Sequence, residues 1–271
     1  MTPKEEFEAD ILSALLCDAG FESFVGTDDG VEAYIKKELY DENAIPSILE
    51  QYPFNAHIEI KSELIPGQDW NSEWEKNYFK PILFEDKCVI HSSFHKDYPA
   101  AKYDITIDTK MAFGTGHHET TSLMIKRILD SDMTGTSVLD MGTGTGILAI
   151  LSSMVGATRV VGVEIDPPAY DNAVINAQLN NQPNIDMRLG GSETLDDGET
   201  FDYVLANINR NIILMDIANY AKALKPGGRM FLSGFYLEDV SMLVDAAKEY
   251  GLEQESVIDK KNWANICLIK E

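Results

Sequence analysis

The chain has 271 residues, of which 44% are hydrophobic and 25% are charged. This composition excludes a disordered chain and suits one large domain or two unequal ones. Asp and Glu number 45 against 22 Lys and Arg, and the formal net charge is −23. The acidic excess argues against a general nucleic-acid binder, which needs a basic face, and favours a basic protein or peptide as partner.

The three cysteines, Cys17, Cys88 and Cys267, lie far apart and form no CxxC pair. A disulfide framework and a zinc site are therefore not expected, and a reducing cytoplasm fits. The acidic start of the chain does not resemble a signal peptide, and no apolar run approaches membrane-spanning length. We expect a cytoplasmic protein without a membrane partner, acting as a monomer.

Residues 1–63 carry four Lys against 15 Asp and Glu, a net charge of −11. Apolar spacing and turn residues predict a small α+β domain here. Its predicted elements are a helix over Glu5–Ala19 that stops at Gly20, a hairpin of Glu22–Val25 and Val31–Lys36, a helix over Asn43–Gln51 and a strand over Ala56–Lys61. The acidic surface is either merely solvated or docks a basic partner, and we predict that this domain recognises the substrate.

A linker is predicted over residues 64–80, because Pro66 and Gly67 break the chain. Trp70 and Trp74 follow four residues apart, a spacing that places both on one side of a short helix.

Residues 81–271 alternate between predicted strands and helices. The strands are Cys88–His91, Tyr103–Ile107, Ser137–Asp140, Arg159–Ile165, Ile185–Leu189, Phe201–Ala206, Arg229–Leu232, Glu253–Ile258 and Ala264–Ile269. The helices are Glu119–Leu129, one from Ile147, Pro167–Asn181, Ile212–Leu224 and Glu238–Tyr250, and residues 225–228 form a turn. This alternation predicts an α/β domain with a doubly wound, mostly parallel sheet and helices on both faces.

A glycine-rich loop follows the strand Ser137–Asp140. Gly142, Gly144 and Gly146 alternate with threonines and lead into a helix, so a ligand can lie against the backbone. Glu164 follows Gly146 by 18 residues, at the end of the next strand, where a carboxylate can accept hydrogen bonds from both ribose hydroxyls of a nucleoside. Dinucleotides prefer G-x-G-x-x-G, and a carboxylate at Asp140, beside the loop, repels pyrophosphate but suits the positively charged end of S-adenosylmethionine. S-adenosylmethionine is therefore favoured over NAD, and Asp140 is assigned to the cofactor site.

Several stretches together resemble class I methyltransferases and, more narrowly, the ribosomal protein L11 methyltransferase family. They are residues 111–121 (MAFGTGHHETT), the glycine loop with Glu164, residues 205–208 (LANI), Trp263 with its strand and the linker residues 69–74 (DWNSEW). The resemblance implies a seven-stranded, Rossmann-like methyltransferase sheet over residues 81–271. It also implies a ferredoxin-like small domain, whereas this chain opens at the first helix; either its start is truncated or the domain is built differently.

The resemblance also assigns roles around the cofactor. Phe113 and Gly114 wrap its methionine end, and the Phe113 ring shields the sulfonium from water. The Thr121 hydroxyl either binds the cofactor carboxylate or caps its helix. His117 departs from the family, which commonly has a smaller residue there.

Asn207 and Trp263 are the remaining predicted site residues. Asn207 ends an apolar strand at the edge where doubly wound folds bind ligands, and its side chain can accept a hydrogen bond from a substrate amine; we assign it to both catalysis and the cofactor site. Trp263 either belongs to the core or attracts a methylated ammonium through its ring face. The five histidines do not form a metal site at ligand spacing.

These features predict a protein N-methyltransferase that uses S-adenosylmethionine. Its expected targets are lysine side chains or the N-terminal amine of a basic ribosomal protein of the large subunit. The alternatives are a small-molecule methyltransferase of the same superfamily and a module that binds a nucleoside without chemistry.

Overall fold

The computed structural model describes residues 12, 15–16, 20–21, 23–27, 30–41, 44–49, 52–54, 58, 60–63, 80–109, 116 and 118–271. These residues fall into two compact units, one within residues 1–68 and the other within 69–271. Within the described ranges, no helix combines the length and the apolar character needed to cross a membrane.

The first unit contains the predicted hairpin and part of the predicted helices. Strands β1 (Ser23–Thr27) and β2 (Gly30–Tyr34) pair antiparallel, and helix α1 spans Ala44–Leu49. Gly20 has the positive φ (93°) expected of a helix stop, and the Phe21 amide donates to the Leu16 carbonyl at 3.2 Å, as in a Schellman cap.

Other predictions for this region were wrong or stay open. The strand predicted over Ala56–Lys61 is absent at its described residues, because 58, 60 and 61 belong to no strand. Ile60, an apolar residue of the alternating pattern, is half exposed, so it does not pack into a core as a residue on the inner face of a strand would. Most of the predicted first helix, both linker tryptophans and Phe113, Gly114 and His117 lie outside the described residues.

The second unit begins with a three-stranded sheet. It consists of β3 (Ile82–Phe84), β4 (Cys88–His91) and β5 (Tyr103–Thr106), with β3 antiparallel and β5 parallel to β4. The sequence analysis did not predict β3. This strand is only three residues long and too short to show a period.

The main sheet has seven strands, as the family resemblance implied. Its strands are β6 (Ser137–Met141), β7 (Arg159–Glu164), β8 (Ile185–Leu189), β9 (Phe201–Asn207), β10 (Leu224–Tyr236), β11 (Leu252–Lys260) and β12 (Trp263–Lys270). They lie in the order β11-β12-β10-β9-β6-β7-β8, and β12 runs in the direction opposite to the other six strands. Residues 225–228, predicted as a turn, form an irregular first part of β10.

Helices cover both faces of this sheet. They are α2 (Glu119–Leu129), α3 (Ile147–Met154), α4 (Pro167–Leu179), α5 (Arg210–Ala223) and α6 (Val240–Lys248). Apolar residues of α5 and α6 form one buried cluster with the sheet, and those of α2 and α3 form the other. Successive residues of the central strands alternate between the two clusters: Val138 belongs to one and Leu139 to the other. The predicted doubly wound α/β fold is confirmed.

The carboxyl ends of β6, β9 and β10 meet around Ile208. A Cβ atom on Gly142 would collide with the Ile208 side chain, and one on Gly234 would collide with the Ile208 backbone carbonyl. Gly234 also interrupts the register of β10 and has a φ of 103°. Glycine at these two positions therefore lets the segment after β9 pass between its neighbours.

We expect Gly234→Ala to destabilise the protein more than Gly227→Ala. Both glycines have positive φ, but no atom lies within 4 Å of a Cβ added at Gly227. The control variant should lose about 1–2 kcal/mol from backbone strain alone, and Gly234→Ala a further loss of about 1–3 kcal/mol from overlap. Urea unfolding measures both losses, and equal values would contradict the close approach.

Candidate active site

A cavity of about 670 Å³ opens at the carboxyl end of the seven-stranded sheet. Its lining includes the glycine loop, the start of α2, the ends of β7 and β9 with the residues that follow them, β10 and the first residue of β12. The lining residues include His118, Thr121, Gly142, Gly144, Glu164, Asp166, Asn207, Ile208, Gly234 and Trp263. This volume is typical of small-molecule sites, and the position is where open α/β sheets bind ligands. A second depression, of about 660 Å³, lies between α6 and β11, and its lining includes neither the glycine loop nor Glu164 nor Asn207.

The glycine loop adopts backbone conformations that favour glycine. Gly142, Gly144 and Gly146 have φ values of 69°, 57° and 82°. The amides of Gly142 and Thr143 both donate to the Val163 carbonyl, at 2.9 and 3.0 Å, which ties the loop to the end of β7. The loop is thus held as a fixed turn with its backbone along the cavity.

Glu164 is buried at the end of β7 and accepts three backbone hydrogen bonds. The Gly144 amide donates to Oε2 at 2.9 Å, and the amides of Ile165 and Asp166 donate to Oε1 at 2.9 and 3.1 Å. A carboxylate has about four acceptor positions, so Oε2 keeps capacity for a ligand hydroxyl. The carboxylate therefore both orders the loop and faces the cavity.

Asp140 lies beneath the loop and is not part of the cavity lining. Its Oδ2 accepts a hydrogen bond from the Thr143 hydroxyl at 2.6 Å. Burial raises the pKa of Asp140 to about 7, although the bond from Thr143 acts in the opposite direction. The charge argument against pyrophosphate is therefore weaker than the sequence suggested, because the group is only partly ionised near pH 7.

Asn207 and Thr121 meet across the cavity. The Asn207 amide nitrogen donates to the Thr121 hydroxyl oxygen at 3.3 Å. The Asn207 Oδ1 atom is buried and has no hydrogen-bond partner among the residues that the structure describes. An acceptor in this state is costly unless a ligand supplies a donor, so this oxygen marks a place for an N–H or O–H group.

Three rings line up at the mouth of the cavity. Trp263 begins β12, and its ring packs against that of Tyr236 with centroids 4.2 Å apart and an interplanar angle of 33°. The His118 ring meets Trp263 edge-on at 4.7 Å, and its Nδ1 accepts from the Thr120 amide at the start of α2. Trp263 therefore lies at a strand entry beside the site, with its ring held from two sides.

The described residues of the predicted site come together. Thr121, Gly142, Gly144, Glu164, Asn207 and Trp263 all line one cavity. The sequence analysis missed His118, Tyr236 and Ile208. His118 precedes the predicted helix Glu119–Leu129, and that N-cap position was the one available signal. In the described part of the chain, no group of three or more His, Cys, Asp or Glu is arranged to hold a metal.

Comparisons with known proteins agree with this geometry. Residues 16–271 match the family model of ribosomal protein L11 methyltransferase (PrmA). The ribosomal protein L11 methyltransferase of Phocaeicola vulgatus is 45% identical over 268 residues, covering 98% of this chain and 95% of that protein. The Clostridium perfringens protein of the same name is 36% identical over 236 residues, covering 87% of this chain and 73% of that protein.

A solved structure is similar over almost three quarters of the chain. The crystal structure of ribosomal protein L11 methylase from Lactobacillus delbrueckii subsp. bulgaricus has a TM-score of 0.66 and 25% identity. The match covers 72% of this chain and 100% of that chain.

The strand order, the glycine loop and the strand-end carboxylate define a class I methyltransferase dependent on S-adenosylmethionine. The family model and the relatives narrow this class to enzymes that methylate protein. The chain belongs to the ribosomal protein L11 methyltransferase (PrmA) family.

We expect Glu164→Ala to weaken cofactor binding by about 1.5–3 kcal/mol, the usual contribution of a hydrogen bond to a charged group. The variant also loses the bond to the Gly144 amide, so the loop is less ordered. Calorimetry with S-adenosylhomocysteine measures the change. Asp171→Ala, an exposed acid on α4, controls for charge alone; equal affinities of both variants would contradict the assignment.

Proposed function

We propose that this chain transfers methyl groups from S-adenosylmethionine to amino groups of ribosomal protein L11, at lysine side chains, the N-terminal amine or both. One observation carries the choice of an amine: the buried, unpartnered Oδ1 of Asn207, at the end of β9 in the cavity. An amine N–H is a donor that satisfies this oxygen.

The described residues fit S-adenosylmethionine, which supplies an electrophilic methyl group on a sulfonium. Glu164 has one acceptor position left, on Oε2, which would take one ribose hydroxyl rather than the two expected from the sequence. Gly142 and Gly144 would let the backbone approach the ligand. Thr121 has a hydroxyl proton left to donate to the cofactor carboxylate, because its oxygen accepts from Asn207. Asp140 contributes indirectly by holding Thr143. Phe113 and Gly114 keep their proposed role at the methionine end, on the strength of the family resemblance.

Asn207 orients the attacking nitrogen. Its Oδ1 accepts one N–H bond and directs the lone pair of the amine toward the methyl group, which turns a bimolecular encounter into an aligned displacement. The nucleophile must be neutral, whereas a free lysine has a pKa of about 10.4. Removing the amine from water favours its neutral form, so the ammonium would give its proton to bulk water as the side chain enters the cavity. Attack by the neutral amine would then form the N–C bond, break the S–C bond and leave S-adenosylhomocysteine as the leaving group.

Trp263 holds the alkylated nitrogen. A methylated ammonium beside an indole face gains cation–π attraction, and Tyr236 and His118 fix the ring that provides it. The polar groups of the cavity and this aromatic mouth thus serve two stages of one reaction, before and after methyl transfer.

We further propose three parts for the chain: residues 1–63 recognise the substrate, 64–80 form a linker and 81–271 perform the transfer. The net charge of −11 in residues 1–63 supports this division, because a negative field attracts a basic ribosomal protein. We also propose that the enzyme acts in the cytoplasm, which a ribosomal protein substrate supports, and that it acts as a monomer.

The direct test mixes the purified protein with labelled S-adenosylmethionine and L11, and locates new methyl groups by mass spectrometry. Methylated amines on L11 are the expected result. Label transferred only to small molecules, or cofactor binding with no transfer, would overturn the proposal.

We expect Asn207→Ala to lower kcat about a hundredfold, the scale of a misaligned reactant, with a much smaller change in cofactor affinity. Steady-state kinetics and calorimetry separate the two quantities. Asn219→Ala removes an exposed amide from α5 and should change neither. Equal losses of kcat and cofactor affinity would assign Asn207 to the cofactor alone.

Neutralising acids in the small domain should raise KM for L11 severalfold at low salt and leave kcat nearly unchanged, because steering acts on encounter. The variant is Glu32→Gln with Asp41→Asn and Glu63→Gln, three exposed positions. Its matched control is Asp245→Asn with Glu249→Gln and Glu253→Gln, which are also exposed. An identical KM in both triple variants would contradict substrate recognition by residues 1–63.

A further inference from the structure

Three buried asparagines, two within α4 and one at its C-terminal cap, take no part in the mechanism above. Asn172, Asn176 and Asn180 recur every four residues and are 1%, 0% and 8% exposed. A buried amide is costly unless both its oxygen and its nitrogen are paired. Their partners therefore show what these side chains are for.

The asparagines pair with the backbone at the end of β5. Asn180 accepts from the Thr106 amide at 2.9 Å and donates to the Thr106 carbonyl at 2.7 Å. Two residues on, the Asp108 amide donates to Asn176 at 3.1 Å and its carbonyl accepts from Asn172 at 2.7 Å. We call Asn172, Asn176 and Asn180 the asparagine ladder.

The match of spacings explains this pairing. Four residues of helix rise about 6 Å, and two residues of strand span about 6.6 Å. Asn180 and Asn176 therefore meet Thr106 and Asp108, which are two residues apart in the extended chain, and Asn172 binds the remaining carbonyl of Asp108. The ladder thus satisfies the outer edge of β5, which lies at the edge of its three-stranded sheet.

Asn176 makes one contact that the other two asparagines do not. Its amide nitrogen donates to the Thr145 carbonyl of the glycine loop at 2.9 Å. The next residue, Gly146, packs so closely on α4 that an added Cβ would lie 3.4 Å from the Ala173 Cβ. Asn176 and Ala173 therefore seat the end of the loop on the helix.

Two side chains thus bind backbone groups of the loop, in addition to its bonds to the Val163 carbonyl. Glu164 holds the Gly144 amide from the end of β7, and Asn176 holds the Thr145 carbonyl from the middle of α4. Both fastenings belong to one continuous piece of chain, because α4 starts at Pro167, three residues after Glu164. The fully buried Asn176 side chain thus fixes where the loop lies relative to the Glu164 carboxylate.

We propose that Asn176 is a positioning residue of the cofactor site, which sets the glycine loop against α4 and Glu164 so that both meet the nucleoside together. It acts through Thr145 and touches no substrate. This inference rests on the proposed function, since the ligand of the loop is taken to be S-adenosylmethionine.

The test compares Asn176→Ala with Asn180→Ala in the full-length protein. Each variant removes ladder bonds to the β5 edge, so each should lower the melting temperature. Only Asn176→Ala also removes the hydrogen bond to the Thr145 carbonyl of the glycine loop. We expect Asn176→Ala to raise the Kd for S-adenosylhomocysteine about tenfold, the scale of one buried hydrogen bond. Asn180→Ala should stay within about twofold of the wild type, since its side chain makes no bond to the glycine loop.

Kinetics separate a positioning role from a purely structural one. In Asn176→Ala, KM for S-adenosylmethionine should rise with the Kd, while kcat at saturating cofactor stays within about twofold. If the alanine variant does not fold, Asn176→Ser provides a milder loss of the same bond.

Equal Kd values in the Asn176 and Asn180 variants, at equal loss of melting temperature, would overturn the inference. A wild-type protein that does not bind S-adenosylhomocysteine would instead overturn the proposed function.

Discussion

The hydrogen bond from the Gly144 amide to Glu164 is the contact on which the rest of the site depends. β6 and β7 are parallel neighbours, so the loop after one strand and the carboxylate that ends the other lie side by side. The same buried carboxylate accepts the amides of Ile165 and Asp166. One charged group therefore joins the glycine loop to the start of α4, and a buried charge is stable only while such donors surround it.

The opposite side of the cavity depends on close packing. Ile208 follows Asn207 and lies where side chains on Gly142 and Gly234 would stand. Because those two positions have no side chain, the end of β9 is held between β6 and β10, and Asn207 is held with it. The unpartnered Oδ1 of Asn207 costs stability in the free protein. Such a cost is expected where a ligand group completes the hydrogen bonding.

Local sequence patterns predicted the elements of the second unit closely. Helix α2 and strand β8 have the predicted bounds, since their apolar periods and flanking turn residues are local signals. The strand predicted over Ala56–Lys61 was wrong, because alternation alone does not provide a neighbouring strand to pair with. The helix predicted over Glu238–Tyr250 is shorter in the structure, where α6 spans Val240–Lys248. Leu237–Asp239 form a 3-10 turn before it.

The sequence by itself determined the fold class, the glycine loop and the acid that follows it, because each depends on residues close together in the chain. Only the tertiary structure showed that Trp263 lies against His118 and Tyr236, or that Asn176 reaches Thr145. It also showed that Asp140, which the sequence analysis expected at the cofactor site, is buried beneath the loop and does not line the cavity. These contacts join residues that are distant in sequence or separated by a turn of the chain. Their partners are decided by which strands become neighbours and which side chains the sheet buries, and no periodic pattern records that choice.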